Sequence, residues 1–187
     1  MIEAAASLMY QNGVAATSVD AILAASGTGK SQLYHYFADR SDLVVAVIEH
    51  QTRVVLAAQP KLFEIESMAG IDRWAKALVA SHAQAGGPFG CPLGTMAAEL
   101  KNDPAFAPAL KDAFAQWEKP LANGLRIMVR NGELSRADRP GRIAAATISA
   151  LQGGMLLARV WMDVEPLRDT VSMALNDIRR RIDRAAG

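Results

Sequence analysis

Apolar residues recur at three- and four-residue spacing along almost the whole chain. No useful length alternates apolar with polar positions as a half-buried strand would. The pattern predicts an all-α protein, and its punctuation marks the helices. Ile2 to Gln11 is an apolar-rich helix stopped by Asn12-Gly13. In the second helix, Ser18 to Ala25, Val19, Ile22 and Leu23 share a face, Ser18 is a good N-cap and Asp20 suits the positive end of the dipole. Ser26-Gly27-Thr28 then breaks the chain, with Gly27 free to take positive φ. A short helix follows, from Gly29 or Lys30 to Tyr36. Ser41-Asp42 caps a fourth, running to about Ala58, and Pro60 closes that region.

Beyond Pro60 the pattern predicts helices over Ile71 to Gln84 and Leu93 to Lys101, separated by the loop Gly86-Gly87-Pro88-Phe89-Gly90-Cys91-Pro92. A long helical stretch from about Pro108 to Arg130 contains Pro120, which should kink it. The last two helices are Pro140 to Met162 and Pro166 to Arg184.

Composition narrows the class. At 187 residues the chain fits one domain, or a small domain joined to a larger one, and 51% hydrophobic residues supply a sizeable core. Without a run of 18 or more apolar residues, no membrane span is expected. The N-terminus lacks the basic start and apolar stretch of a signal peptide. The single cysteine, Cys91, rules out an internal disulfide and fits a cytoplasmic location. The net charge of +1 says little about partners.

Gly29-Lys30-Ser31 ends like a nucleotide-binding phosphate loop. That loop needs a further glycine five residues earlier, where this chain has Ala24, and it follows a strand, whereas this segment follows a helix. Two short helices joined by a three-residue turn instead make a helix-turn-helix, whose second helix enters the major groove of DNA. Leu33 and Phe37, four apart, face inward, which leaves Lys30, Ser31, Gln32 and His35 facing out. Gln offers a bidentate pair to adenine and Lys donates to guanine, while the hydroxyls of Tyr34 and Tyr36 suit phosphate oxygens. On pattern alone, the alternative is a three-helix packing unit with a solvated polar face.

The run from Gly13 through Leu43 closely resembles the DNA-binding domain of TetR-type bacterial regulators. The residues that carry the resemblance are Gly13, Thr17-Ser18, Ile22, Gly27, Leu33 to Phe37, Arg40 and Leu43. It implies that Thr17 and Ser18 lie where the second helix meets DNA, with Thr17 touching a phosphate. It places Thr28, Gly29, Lys30, Ser31 and Gln32 at the groove, and has Tyr34 and His35 hold the backbone. Arg40 would contact DNA from the start of the fourth helix, where such regulators usually carry Lys. Two features depart from the pattern. Residues 1–50 hold two basic and five acidic side chains (2 − 5 = −3), a poor balance for neutralising phosphates. The chain also opens inside its first helix, where relatives carry a polar, often basic segment. Either a longer natural chain or affinity drawn from dimerisation and local charge placement is expected, with weak and strongly salt-sensitive DNA binding.

Residues 46–187 form the expected second domain, after a DNA-binding domain at 1–45. A heptad-like stripe of Ile143, Thr147, Ala150, Gly154, Leu157 and Trp161 marks one helix, and Leu167, Val171, Ala174 and Ile178 mark the next. Two such helices from each of two copies would make a four-helix interface; the alternative is that the stripes face the chain's own core. "LQGGMLLAR", from Leu151 to Arg159, resembles the penultimate helix of the same regulators, which implies a homodimer. The middle helices carry bulky, adaptable side chains, among them Phe63, Met68, Phe89, Phe106 and Met128, which fill cores more often than they line sites. The family resemblance, with "GCPLGTMAAEL" from Gly90 to Leu100, implies an effector pocket. Trp74, Leu78, Met96, Trp117, Gln152 and Met155 are its expected lining, suited to an apolar small molecule.

Nothing in the sequence marks catalysis. His35, His50, His82 and Cys91 lack metal-ligand spacing, no Ser sits in a nucleophile elbow, and no cofactor is implied. The expected function is a ligand-responsive, homodimeric transcription repressor on a palindromic double-stranded operator. The rival is a helical ligand-binding protein or enzyme that has kept the domain and lost DNA binding.

Overall fold

The computed structural model describes residues 1–84 and 90–186. Among them the regular structure is helical: α1 (Ile2–Asn12), α2 (Val19–Ser26), α3 (Lys30–Tyr36), α4 (Arg40–Ala57), α5 (Met68–His82), α6 (Pro92–Leu100), α7 (Ala107–Arg130), α8 (Pro140–Trp161) and α9 (Glu165–Ala186). A 3-10 turn, Pro60–Glu64, precedes α5. Gly86 to Phe89 of the expected loop lie outside the described residues.

Local chemistry sets the boundaries. The Ser18 side chain accepts from the Ala21 amide at 3.1 Å and starts α2, and Ser67 does the same for α5 through Gly70. The fourth helix starts differently from the expected Ser41-Asp42 cap. The Asp39 carboxylate accepts from the amides of Ser41 and Asp42 at 2.7 and 3.0 Å, and Asp42 reaches back to the Ala38 amide at 3.1 Å. This reciprocal cap satisfies donors that the first turn leaves open. The helix α7 runs through Pro120 without a break.

The chain divides into two compact units, Met1–Val55 with Pro92–Phe114, and Leu56–Cys91 with Ala115–Gly187. The expected boundary after residue 45 falls inside α4, whose hydrogen-bonded ladder continues to Ala57. The first unit also takes in α6, which packs on α1. Its core includes Met9, Ile22, Leu33, Leu43, Val47, Ile48, Leu93 and Met96.

In the second unit, α8 and α9 pack as an antiparallel pair with Gly154 tight against the start of α9. A Cβ there would lie 3.0 Å from the Leu167 Cα and 3.1 Å from the Pro166 carbonyl oxygen. Much of the predicted interface stripe is used within the chain. Ile143, Thr147, Gly154, Leu167, Val171 and Ile178 are buried in the protomer. An intramolecular helix pair needs the same seven-residue stripe that an intermolecular one does, so spacing alone could not separate them. Ala150 and Ala174 are half-buried; Leu157 and Trp161 are exposed. By length and composition α8 is long and apolar enough to cross a bilayer, but its Ile148, Leu151, Met155 and Ala158 are packed inside the unit.

Arg181 ties the entry of α8 to α9. Its Nη1 donates to Asp138 Oδ1 at 3.0 Å and its Nε to Asp177 Oδ2 at 2.7 Å. The hydrogen bond from Arg181 holds the Asp177 carboxyl below its ordinary value, and Asp177 and Asp138 together raise that of Arg181. A depressed carboxylate contributes stability above its unfolded pKa and loses it as pH falls through the folded one, here below about pH 4. Arg181→Ala is expected to lower stability by about 1–2 kcal/mol near neutral pH, allowing for solvent screening. Urea melts across the acid range should show the gap between the two proteins closing as the pH drops.

Candidate nucleic-acid interface

The recognition element is built around one buried side chain. Gly27 closes α2 in the left-handed region, at φ 65 and ψ 21, where a residue with Cβ is strained. The Thr28 amide bonds back to the Leu23 carbonyl at 3.3 Å, and the Ser26 and Thr28 hydroxyls share a hydrogen bond of 2.6 Å. This tight turn launches α3, whose single buried residue is Leu33, at 0% exposure. Burying a leucine contributes roughly 1.5–3 kcal/mol, so Leu33 is the anchor of a helix that otherwise stands in solvent. Lys30, Ser31, Gln32, Tyr34, His35 and Tyr36 are all exposed, and Gly29 is too. The rings of His35 and Tyr36 meet edge to face at 5.0 Å.

No acidic residue lies between Gly27 and Ala38. Two of the five acids in residues 1–50, Asp39 and Asp42, accept backbone amides at the start of α4. The helix α3 therefore carries Lys30 and no carboxylate, which suits a polyanion better than the regional sum suggests.

Two of the expected DNA contacts point inward. Thr17 is 3% exposed and its hydroxyl donates to the Gly13 carbonyl at 2.8 Å, so its side chain closes the turn between α1 and α2. Arg40 is half-buried, and its Nη2 donates to the carbonyls of Val14 and Thr17. Both corrections have one cause: a short turn leaves carbonyls that need donors, and nearby side chains supply them. Ser18 is exposed, and its hydroxyl retains a proton to donate while it caps α2.

Sequence reasoning missed Glu99. Its Oε2, brought by α6 from 85 residues away, accepts from the Val14 amide at 2.8 Å and from the Ala15 amide at 3.3 Å. Glu99 and Arg40 thus brace opposite polar groups of one turn, which sets the position of α2. No local pattern announces a carboxylate that works at such separation. Arg40→Ala should remove two carbonyl partners and cost about 1.5–3 kcal/mol of stability. Its effect on DNA affinity should be equal across sequences, as anisotropy on several duplexes would show.

The expected effector lining falls in two places. Met96 is buried in the first unit, and Trp74, Leu78, Trp117 and Met155 are buried in the second. Gln59 Oε1 accepts from both indoles there, at 3.1 Å from Trp74 Nε1 and 3.3 Å from Trp117 Nε1. Gln152 Nε2 is buried and, among the described residues, has no hydrogen-bond partner. His82 is buried, with Nδ1 3.0 Å from the Leu78 carbonyl oxygen. Cys91 is a buried thiol, and no group of three metal-ligating side chains occurs among the described residues.

Comparison with known proteins bears on the whole chain. Residues 1–47 match the model for bacterial regulatory proteins of the tetR family, and residues 67–173 match that of the transcriptional regulator LmrA/YxaF-like C-terminal domain. The chain is 29% identical to an HTH-type transcriptional regulator of the lacX 3' region in Lactococcus lactis, over 92% of this chain and 88% of that protein. It is 27% identical to the transcriptional regulator AcuR of Cereibacter sphaeroides, over 89% and 78% respectively. The fold is similar to the crystal structure of reduced E. coli NemR, with a TM-score of 0.82 at 20% identity over 94% of this chain and 93% of that one.

Proposed function

Since the chain belongs to the TetR family of DNA-binding, non-enzymatic transcriptional regulators, we propose that it is a cytoplasmic homodimeric repressor released from a palindromic operator by an apolar small molecule. The observation that carries this is α3: seven residues held by one buried leucine, with every polar side chain turned outward. Each copy offers one such helix to one half-site. The two must sit one DNA turn apart or a multiple of it, about 34 Å for adjacent turns. Gln32 and Lys30 read base edges, while Ser18, Tyr34 and Tyr36 hold phosphates.

Dimerisation is assigned to the exposed part of the α8–α9 face, with Ala150, Leu157, Trp161 and Ala174 as its members from the predicted stripe. The effector is assigned to the interior of the second unit around Trp74, Leu78, Trp117, Gln152 and Met155. The aromatic and thioether surfaces suit an apolar body, and the unpaired Gln152 Nε2 suits one acceptor oxygen on it. The helix α4 belongs covalently to both units and is the lever. A ligand shifts such an equilibrium only by its differential affinity for the two states.

One observation supports a second reading, a ligand-binding protein that no longer binds DNA: the −3 balance of residues 1–50. A thermal-shift screen against apolar compounds, followed by adding each hit to a preformed DNA complex, separates the two. Hits that raise the melting temperature and release the duplex support the repressor. Hits that stabilise a protein with no affinity for its upstream DNA support the rival.

A further inference from the structure

Resting on the reading that the chain pairs through α8 and α9, we propose that two copies set their α8 helices antiparallel about Gly153. The Trp161 corner of each copy then fills an arginine-rimmed groove of the other. Gly153 is the first observation. It is exposed in mid-helix, and a Cβ built there meets nothing within 4 Å. Its neighbour Gly154 is explained by α9 of the same chain; Gly153 is not. Glycine weakens a helix interior, and close approach of another backbone is what its missing side chain permits.

The groove is the second observation. About 700 Å³ lies between the start of α8 and the end of α9. Small residues, Ala146, Thr147, Ala150 and Ala174, line it together with Ile143 and Met173. Its rim carries Arg139, Arg142, Arg180 and Arg181; Arg180 and Arg181 are tied to Asp177, and Arg181 also to Asp138. The other end of the same helix supplies the complement. Leu157, Val160 and Trp161 are 42%, 66% and 62% exposed, and Leu157 and Trp161 continue the helical row of Ala150. Exposed Asp163, Glu165 and Asp169 follow, Glu165 already paired with Arg168 at 3.0 Å.

A two-fold axis makes each contact twice. With the axis at Gly153, Val160 lies seven residues to one side and faces the partner's Ala146, seven to the other (160 − 153 = 153 − 146). Trp161 enters the groove from the same turn, where a guanidinium over its ring adds attraction. Asp163 and Asp169 arrive at the side of the rim that carries Arg139 and Arg142. Bulk meets small side chains, and anion meets cation, in the one register that also explains Gly153.

The test uses the full chain with Cys91→Ser throughout. Ala146→Cys and Val160→Cys proteins are purified apart, mixed and oxidised. A covalent dimer is expected in the mixture and not in either protein alone, since a disulfide needs Cα atoms roughly 4.4–6.8 Å apart. Separately, Trp161→Glu is expected to weaken dimerisation at least 30-fold by sedimentation, an estimate on the order of an interface anchor. An unchanged melting profile of the dilute protomer checks its fold. A dimer that forms no mixed disulfide and ignores Trp161→Glu overturns this register and leaves pairing through α8 and α9 standing. A chain that stays monomeric at every concentration overturns both.

Discussion

Gln32→Ala is expected to relax base preference at one position of each half-site, reducing discrimination there by about 1–3 kcal/mol, roughly 5- to 150-fold. The reason is geometric. Gln32 is exposed on the outer face of α3, one residue before the buried Leu33 that fixes the helix. Its amide offers a donor and an acceptor to one base edge, and alanine offers neither. Fold and phosphate contacts should survive, so binding to random DNA should change little. Competition titrations with single-base operator variants measure the effect. Arg40→Ala provides the contrast, because its guanidinium acts on the turn through Val14 and Thr17 and so touches every sequence alike.

Gly124→Ala should be the most damaging single-methyl change in the second unit. A Cβ at Gly124, on α7, would lie 2.6 Å from the backbone carbonyl oxygen of Ile65, and the Ile65 side chain crowds the same space. Ile65 is 3% exposed, so neither group has room to yield. Overpacking of this kind costs about 1–3 kcal/mol or more. At roughly 2–4 °C per kcal/mol for a chain of this size, the melting temperature should fall by several degrees. Gly141→Ala is the control, since open space surrounds it near the start of α8 and alanine favours the helix.

The helical architecture was legible because helix signals are local. Ser18 and Ser67 cap as such residues do, and Gly27 ends α2 where a left-handed residue is required. The α4 cap was misplaced by two residues because Asp39, Ser41 and Asp42 are all competent caps, and only the backbone path chooses among them. Pro60 read as a terminator because proline ends helices as readily as it opens a 3-10 turn.

The reading helix was legible for a similar reason: Leu33 is the one strongly apolar aliphatic residue in Lys30–Tyr36, which left the polar ones outside. Long-range polar pairing was not legible. Glu99 and the turn at Val14 are joined only by folding, and Arg40 looked like a DNA contact because its carbonyl partners are invisible in sequence. The stripe of Ile143, Thr147 and Gly154 shows the same limit, since one period serves two partners.

Everything proposed for this chain depends on a pair of α3 helices reading DNA together. The direct test is a fluorescence-anisotropy titration of the purified chain on its own upstream duplex and on a scrambled duplex of equal length, at one low salt concentration. Two chains per site and a preference of about 10³-fold or more for the upstream sequence are expected. Equal affinity for both duplexes, or no binding to either, would contradict this reading.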